Sequence, residues 1–176
     1  LRSADRGGGI THRLLGFAKH MQVQTEKVEL DQLLVEVLGF LEKEAKYRDI
    51  GIEFDFPEEP PEVVSDRGQL QQVFLNIINN AFAAVEDGGR IQIGIIEGEP
   101  GTVAVWIQDN GVGIPEEHLS HIFDPFFTTK KGAGTGLGLS ITYGIVQKLG
   151  GEVSVQSQVG VGTRFIVSLP TGKPES

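Results

Sequence analysis

Two glycine clusters and one carboxylate mark where chemistry could occur. Asp109-Asn110-Gly111-Val112-Gly113 follows a strand-like run, and Gly134-Thr135-Gly136-Leu137-Gly138-Leu139 precedes a helical one. Glycine lets backbone approach a ligand closely, and the free N–H groups at a helix start attract anions. A carboxylate at one end and backbone donors at the other suit a ligand that carries a hydrogen-bonding base and phosphates. Between the clusters lies Phe123-Asp124-Pro125-Phe126-Phe127-Thr128-Thr129-Lys130-Lys131, loop-like, aromatic and ending in two adjacent cations. Upstream, Asn76 and Asn80 stand four apart in a helical pattern, so both amide oxygens can point at one object.

The elements that must position these residues follow from periodicity. Leu70, Val73, Phe74, Ile77, Ile78, Ala81, Phe82 and Val85 define one face of a helix from Arg67 to about Glu86, with Asp66 as N-cap. Gln72, Asn76 and Asn79 fall on its other side and Asn80 at the stripe's edge; Asn79 reads as solvated. Ile91, Ile93 and Ile95, a turn at Gly98 to Gly101, then Val103, Val105 and Ile107 predict a hairpin delivering Asp109 at its end. Trp106 has the opposite parity and is assigned no function. A helix from Gly136 to Leu149 should turn Ile141, Ile145, Val146 and Leu149 inward and stop at Gly150-Gly151. A closing hairpin places Val153 and Val155 against Phe165, Val167 and Leu169.

Ahead of these, Lys27 to Leu30 reads as a strand. Asp31 reads as the N-cap of one helix bearing Leu33, Leu34, Val37, Leu38, Leu41 and Ala45, ended by Asp49-Ile50-Gly51. Ile52, Phe54 and Phe56 alternate, and Val63-Val64 forms a brief strand. Ile10 to Val23 is an amphipathic helix after a glycine-rich start, and Glu116 to Phe123 a short helix after Pro115. His118 and His121 lie in that short helix with no third ligand nearby in sequence, so they read as surface histidines. The rhythm of helices and hairpins predicts an α+β, two-layer sandwich: a mixed or antiparallel sheet with helices on one face.

Here the motifs carry a resemblance. Asp109 to Gly113 resembles the G1 box of the GHKL ATP-binding domain, Phe123 to Phe127 its F box, and Gly134 to Leu139 its G2 box. Leu75-Asn76-Ile77-Ile78-Asn79-Asn80-Ala81 resembles the N box. The wording FDPFFTTK and GTGLGLS is most similar to bacterial sensor histidine kinases of the nitrogen-sensor class, over roughly Leu30 to Pro170. The resemblance implies the Bergerat fold, with ATP and Mg²⁺ as cofactors. It implies that Asp109 accepts from the adenine amino group, that Thr163 contacts the adenine region, and that Asn76 and Asn80 hold Mg²⁺. Gly136 and Gly138 would bind phosphates through backbone N–H groups, with charge from Lys130 or Lys131 in a lid spanning Asp124 to Gly134. Ala83, Gly111, Gly113, Ile114, Phe127, Thr135, Leu137 and Leu139 would complete the nucleotide's surroundings. Ala83 and Ala84 depart from the pattern, since many relatives carry a basic and an aromatic residue there.

By the same resemblance, residues 1–26 are the remnant of a dimerisation and phosphotransfer helix with its linker, 27–170 the catalytic domain, and 171–176 a tail. The expected function is to donate the ATP γ-phosphate to a histidine outside this chain. Partners would be the helix carrying that histidine, a response regulator receiver domain and, for the full-length protein, a second copy in a homodimer. His12 is not that histidine: Arg13 follows it, where the family's phosphoacceptor is followed by an acidic residue. A gyrase- or chaperone-type ATPase is the alternative, disfavoured because such enzymes carry a glutamate base where Asn76 stands. An anti-sigma serine kinase is a further one.

Composition sets the bounds. The chain has 176 residues, enough for one domain plus a short extension, and it begins at Leu1, as a piece of a longer protein would. A net charge of −9, with no basic cluster beyond Lys130-Lys131, argues against nucleic acid as a partner. The absence of cysteine excludes disulfides and thiolate metal sites. Apolar runs are only a few residues long, too short for a membrane helix or signal peptide, and a cytoplasmic location is expected, with any anchor elsewhere in the full-length protein.

Overall fold

The computed structural model describes residues 24–127 and 138–172. In chain order, β1 (Glu26–Glu29) leads into α1 (Leu30–Gly39) and α2 (Glu42–Arg48), followed by β2 (Gly51–Asp55), β3 (Glu62–Ser65) and α3 (Arg67–Ala84). Then come β4 (Arg90–Glu97), β5 (Thr102–Asp109), the short α4 (Glu116–Leu119), α5 (Gly138–Lys148), β6 (Glu152–Gln158) and β7 (Gly162–Pro170). Five strands form a mixed sheet in the order β2-β4-β5-β7-β6, with β2 parallel to β4 and the other neighbours antiparallel. β1 and β3 pair with each other in a separate antiparallel ribbon.

Alternation along the strands decides the faces. Ile91, Ile93 and Ile95, Val103, Val105 and Ile107, and Phe165, Val167 and Leu169 are all buried on one side of the sheet. Over that side lies α3, packed on β5 and flanked by α1 and α5. The other parity carries a polar row, in which Gln92, Gln108, Arg164 and Gln156 sit side by side across four strands. This is the two-layer α+β sandwich, helices on one face, that the sequence predicts. Trp106 belongs to the polar parity yet is buried, because Gly94 opposite leaves room for the indole and the Arg164 guanidinium lies 4.4 Å from its ring centre.

The central helix α3 is fixed at both ends. Asp66 is its N-cap, accepting from Gln69 N–H at 3.1 Å, and the predicted stripe from Leu70 to Phe82 is buried throughout. At the other end Arg48 reaches over from α2. Its Nη1 and Nη2 donate to the carbonyls of Phe82 and Val85, both at 2.7 Å, and its Nε donates to Asp87 at 2.7 Å. Carbonyls in the last turn have no partner within the helix, and Arg48 supplies one. The Asp87 hydrogen bond holds the guanidinium pKa above its already high ordinary value.

Three local expectations need correction. The helix read as continuous from Asp31 is two, broken at Phe40-Leu41, where N–H groups bond three residues back to Val37 and Leu38. Gly39 weakens that turn, and the bend leaves Leu38 buried while Phe40 is exposed. Asp31 lies in the first turn of α1 and is not the cap: β1 runs straight into the helix, with Glu29 at the cap position. The helix expected to reach Phe123 ends at Leu119, and successive three-residue turns through His121 and Asp124 replace it. The helix predicted over Ile10 to Val23 lies outside the described residues.

Candidate nucleotide site

Asp109 is the last residue of β5 and is buried, on the helix-covered parity. Its Oδ1 accepts from Gly111 N–H at 2.8 Å, which folds the G1 loop back over the carboxylate. Thr163 stands directly opposite on β7 and is also buried. Ser157 of β6 joins the pair: its hydroxyl lies 2.8 Å from Thr163 Oγ1 and accepts from Ile114 N–H at 2.7 Å. One hydroxyl therefore ties the exit of the G1 loop to the strand that faces Asp109.

Two glycines of that loop are required by space. A Cβ on Gly111 would stand 2.3 Å from the Ala84 carbonyl oxygen, which is also the acceptor for Val112 N–H at 3.1 Å. Gly113 has φ +79°, and a Cβ there would stand 2.3 Å from the Gln158 carbonyl oxygen. The G1 loop is thus wedged between the end of α3 and the β6–β7 turn, and Ala84 has a structural reason to be small. Ala83 beside it is exposed.

Asn76 and Asn80 are both half-buried, and Asn79 is exposed, as its face predicts. Their amides have different surroundings. Asn76 Nδ2 donates to Gly138 O at 3.1 Å and to Thr142 Oγ1 at 3.2 Å, while its Oδ1 accepts from Gln72 Nε2 at 2.7 Å. Only the amino group can donate to a carbonyl, so the orientation of this amide is settled. Asn80, one turn along and one turn before Ala84, has no side-chain hydrogen-bond partner among the described residues. An amide oxygen of this kind, half-buried and available, fits a hard cation that takes oxygen ligands.

The third group of residues surrounds the F box. Phe123 packs against Tyr143 of α5 and Phe165 of β7, with ring centres 5.5 and 6.4 Å away. Phe127 lies between two histidines, 5.5 Å from the His118 ring and 5.9 Å from that of His121. His121 Nδ1 lies 3.0 Å from Asp124 Oδ2, and His118 Nδ1 is buried without a hydrogen-bond partner among the described residues. Phe126, directly before Phe127, takes a left-handed backbone (φ +68°), which is costly for a side chain other than glycine, and its ring is exposed. Leu139 packs partly buried against the core. Lys130, Lys131, Thr135, Gly136 and Leu137 lie outside the described residues.

Sequence reasoning missed three participants. Thr142, fully buried on α5, faces α3, whereas Ile141, expected inward, is 47% exposed. The stripe of positions 142, 145, 146 and 149 obeys the helical period, and only the apolar character of Ile141 argued otherwise. Ser157 shares the parity of Val153 and Val155, so a polar residue at that inward position was a usable signal. Arg48 left no trace in periodicity.

The family model for histidine kinase-, DNA gyrase B-, and HSP90-like ATPases matches residues 65–173, the span that holds all four motifs. The chain belongs to this ATPase family. Among curated relatives, sporulation kinase A of Bacillus subtilis is 40% identical over 92% of this chain and 26% of its own length. The sensor histidine kinase ZraS of Escherichia coli is 36% identical over 96% of this chain and 36% of its own. The chain therefore spans about a quarter to a third of these relatives. The nucleotide-free catalytic domain of histidine kinase ThkA superposes with a TM-score of 0.77 and 34% identity, covering 84% of this chain and 96% of that one. ThkA in complex with the response regulator protein TrrA is also similar, with a TM-score of 0.75 and 30% identity over 96% of this chain and 48% of that one. Within the ATPase family the resemblance is thus to sensor kinases, and this domain has the fold of a histidine kinase catalytic domain.

Proposed function

We propose that this chain binds Mg-ATP and positions its γ-phosphate for transfer to a histidine carried elsewhere in the full-length protein. The observation that carries the reading is the buried Asp109 carboxylate, facing Thr163 and covered by a loop wedged under the helix that bears Asn80. Asp109 accepts from the adenine amino group, a contact that excludes guanine, and Thr163 borders the base. Gly111, Gly113, Ile114 and Ala83 line that end. Asn80 supplies an oxygen to Mg²⁺, and Asn76 does so once Gln72 releases its carbonyl. Mg²⁺ would neutralise phosphate charge there. Phe127, Leu139, Gly138 and, by motif, Thr135, Gly136 and Leu137 surround the phosphates, with Lys130 adding charge. Phosphoryl transfer needs positioning and charge stabilisation more than covalent participation by the protein, so this set suffices on the nucleotide side.

Hydrolysis in the manner of a gyrase is not supported. Asn76 donates to Gly138 O and Thr142, and an amide cannot take a proton from water. We infer that the partners are the phosphoacceptor helix of the same protein, then a response regulator receiver domain, with the full-length protein a homodimer. The domain would work in the cytoplasm, as the resemblance to sensor kinases implies. Among the described residues no helix is long and apolar enough to cross a membrane.

Incubation with γ-labelled ATP tests the reading. The chain alone should bind Mg-ATP, neither label itself nor release phosphate appreciably, and label a supplied upstream helix on its histidine. Acid-labile label on His12, or brisk phosphate release without labelled protein, would reject it.

A further inference from the structure

The face of the sheet turned away from the helices carries a second cleft, of about 340 Å³, at the Asp109 end. Its floor is the cross-strand row Gln92, Gln108 and Arg164, each directly opposite the next, and its walls include Arg90, Gln156 and Gln158. Asp109, Ser157 and Thr163, a cross-strand row of helix-facing parity, also line it at the sheet's end. With Asn110, the cleft therefore presents two guanidiniums and five carboxamides, in a chain whose net charge is −9. No carboxylate other than Asp109 lines it among the described residues.

The two cations are weakly committed. Arg164 lies over Trp106 at 4.4 Å, and its Nε is buried without a hydrogen-bond partner among the described residues. Arg90 makes a 3.8 Å contact with Glu53, with both side chains more than half exposed, a pairing worth little in water. Glu53 also accepts from Gln92 Nε2 at 3.1 Å, so it borders the cleft as an internal acidic group at the β2 edge. Guanidinium forks match carboxylates, and carboxamides both donate to and accept from peptide groups. Arginine and tryptophan together are also the residues most often central to protein contacts.

From this charge complementarity we propose that the outer sheet face is a docking site for an acidic peptide segment of a partner protein. The segment lays carboxylates on Arg164 and Arg90 and displaces Glu53. The docking site adjoins the proposed nucleotide site, sharing Asp109 and Thr163 at its rim, but its arginines and glutamines project from the opposite face of the sheet.

Trp106 is the sole tryptophan and so reports directly on Arg164. The full chain should be titrated with hexaglutamate while its tryptophan fluorescence is followed, with a serine-glycine peptide of equal length and free glutamate as comparisons. Saturable binding is expected for hexaglutamate alone, weaker as salt screens the charges. The double variant Arg90→Gln, Arg164→Gln should lose at least about ten-fold in affinity, as loss of charge-assisted bonds implies, with ATP affinity unchanged. Glu53→Gln should bind the peptide more tightly. Equal binding of free glutamate would overturn a peptide as the occupant, and so would equal binding of the neutral peptide. Binding that survives the double variant, or no saturable signal at all, would overturn the site.

Discussion

Asp109 and Thr163 face each other across the β5–β7 register, and Ser157 holds the threonine hydroxyl at 2.8 Å. This pair closes the adenine end of the proposed site, with one Asp109 oxygen already committed to Gly111 N–H. Asp109→Asn keeps an oxygen for that loop contact and turns the other position into a donor. ATP affinity measured by calorimetry should fall about ten-fold or more, since a buried hydrogen bond to a charged group is worth about 1.5–3 kcal/mol. An affinity within about two-fold of wild type would remove Asp109 from the base contact.

The two N-box asparagines should separate experimentally. Asn80→Ala should abolish most of the difference between ATP affinity with Mg²⁺ and with chelator, while the melting temperature stays near wild type. Asn76→Ala should lower the melting temperature, because bonds to Gly138 and Thr142 are lost at about 0.5–1.5 kcal/mol each. If the Mg²⁺ effect survives Asn80→Ala, the cation is held elsewhere.

Gly138 offers a test of what its glycine is for. Among the described residues nothing lies within 4 Å of where a Cβ would stand, so the fold does not demand glycine at this position. Gly138→Ala should therefore keep or slightly raise thermal stability, given alanine's helical advantage of up to about 1 kcal/mol. ATP affinity should nonetheless drop about ten-fold, through a blocked phosphate approach. Unchanged affinity would count against a phosphate role for this backbone.

Arg48 should matter although it touches no proposed ligand group. Arg48→Ala leaves the Phe82 and Val85 carbonyls without their donors, and denaturant unfolding should show a loss of about 1–3 kcal/mol. Arg48→Lys should recover only part of this, since an ammonium cannot reproduce a planar fork that spans two carbonyls and Asp87. A neutral Arg48→Ala would mean that water serves those carbonyls equally well.

What could be read from the chain alone was whatever repeats with a period. The buried stripe of α3, the two hairpins and the sandwich architecture follow from spacing, and motif order singled out Asp109, the asparagines and two glycine clusters as candidates, most of the second lying outside the described residues. What escaped reading depends on single side chains meeting across elements. Arg48 caps a helix far along the sequence. Thr142 turns inward because Asn76 gives it a partner. The bend at Phe40 divides a periodic pattern that itself shows no interruption. Hydrophobic period reports the burial of a face, and says little about which polar atoms will find each other there.

The β4–β5 and β6–β7 hairpins are each local in sequence, but the pairing of β5 with β7 is not. The loop it closes contains the F box, residues 128–137 and α5, so the chain must meet a loop-closure entropy before Asp109 and Thr163 come together. Neither hairpin by itself possesses the proposed adenine end. The recognition surface is completed only with the slowest class of contact in the sheet, and it comes into existence in the same cooperative step as the domain. Nucleotide should accordingly slow hydrogen exchange at the paired amides of β5 and β7 by as much as it stabilises the domain globally.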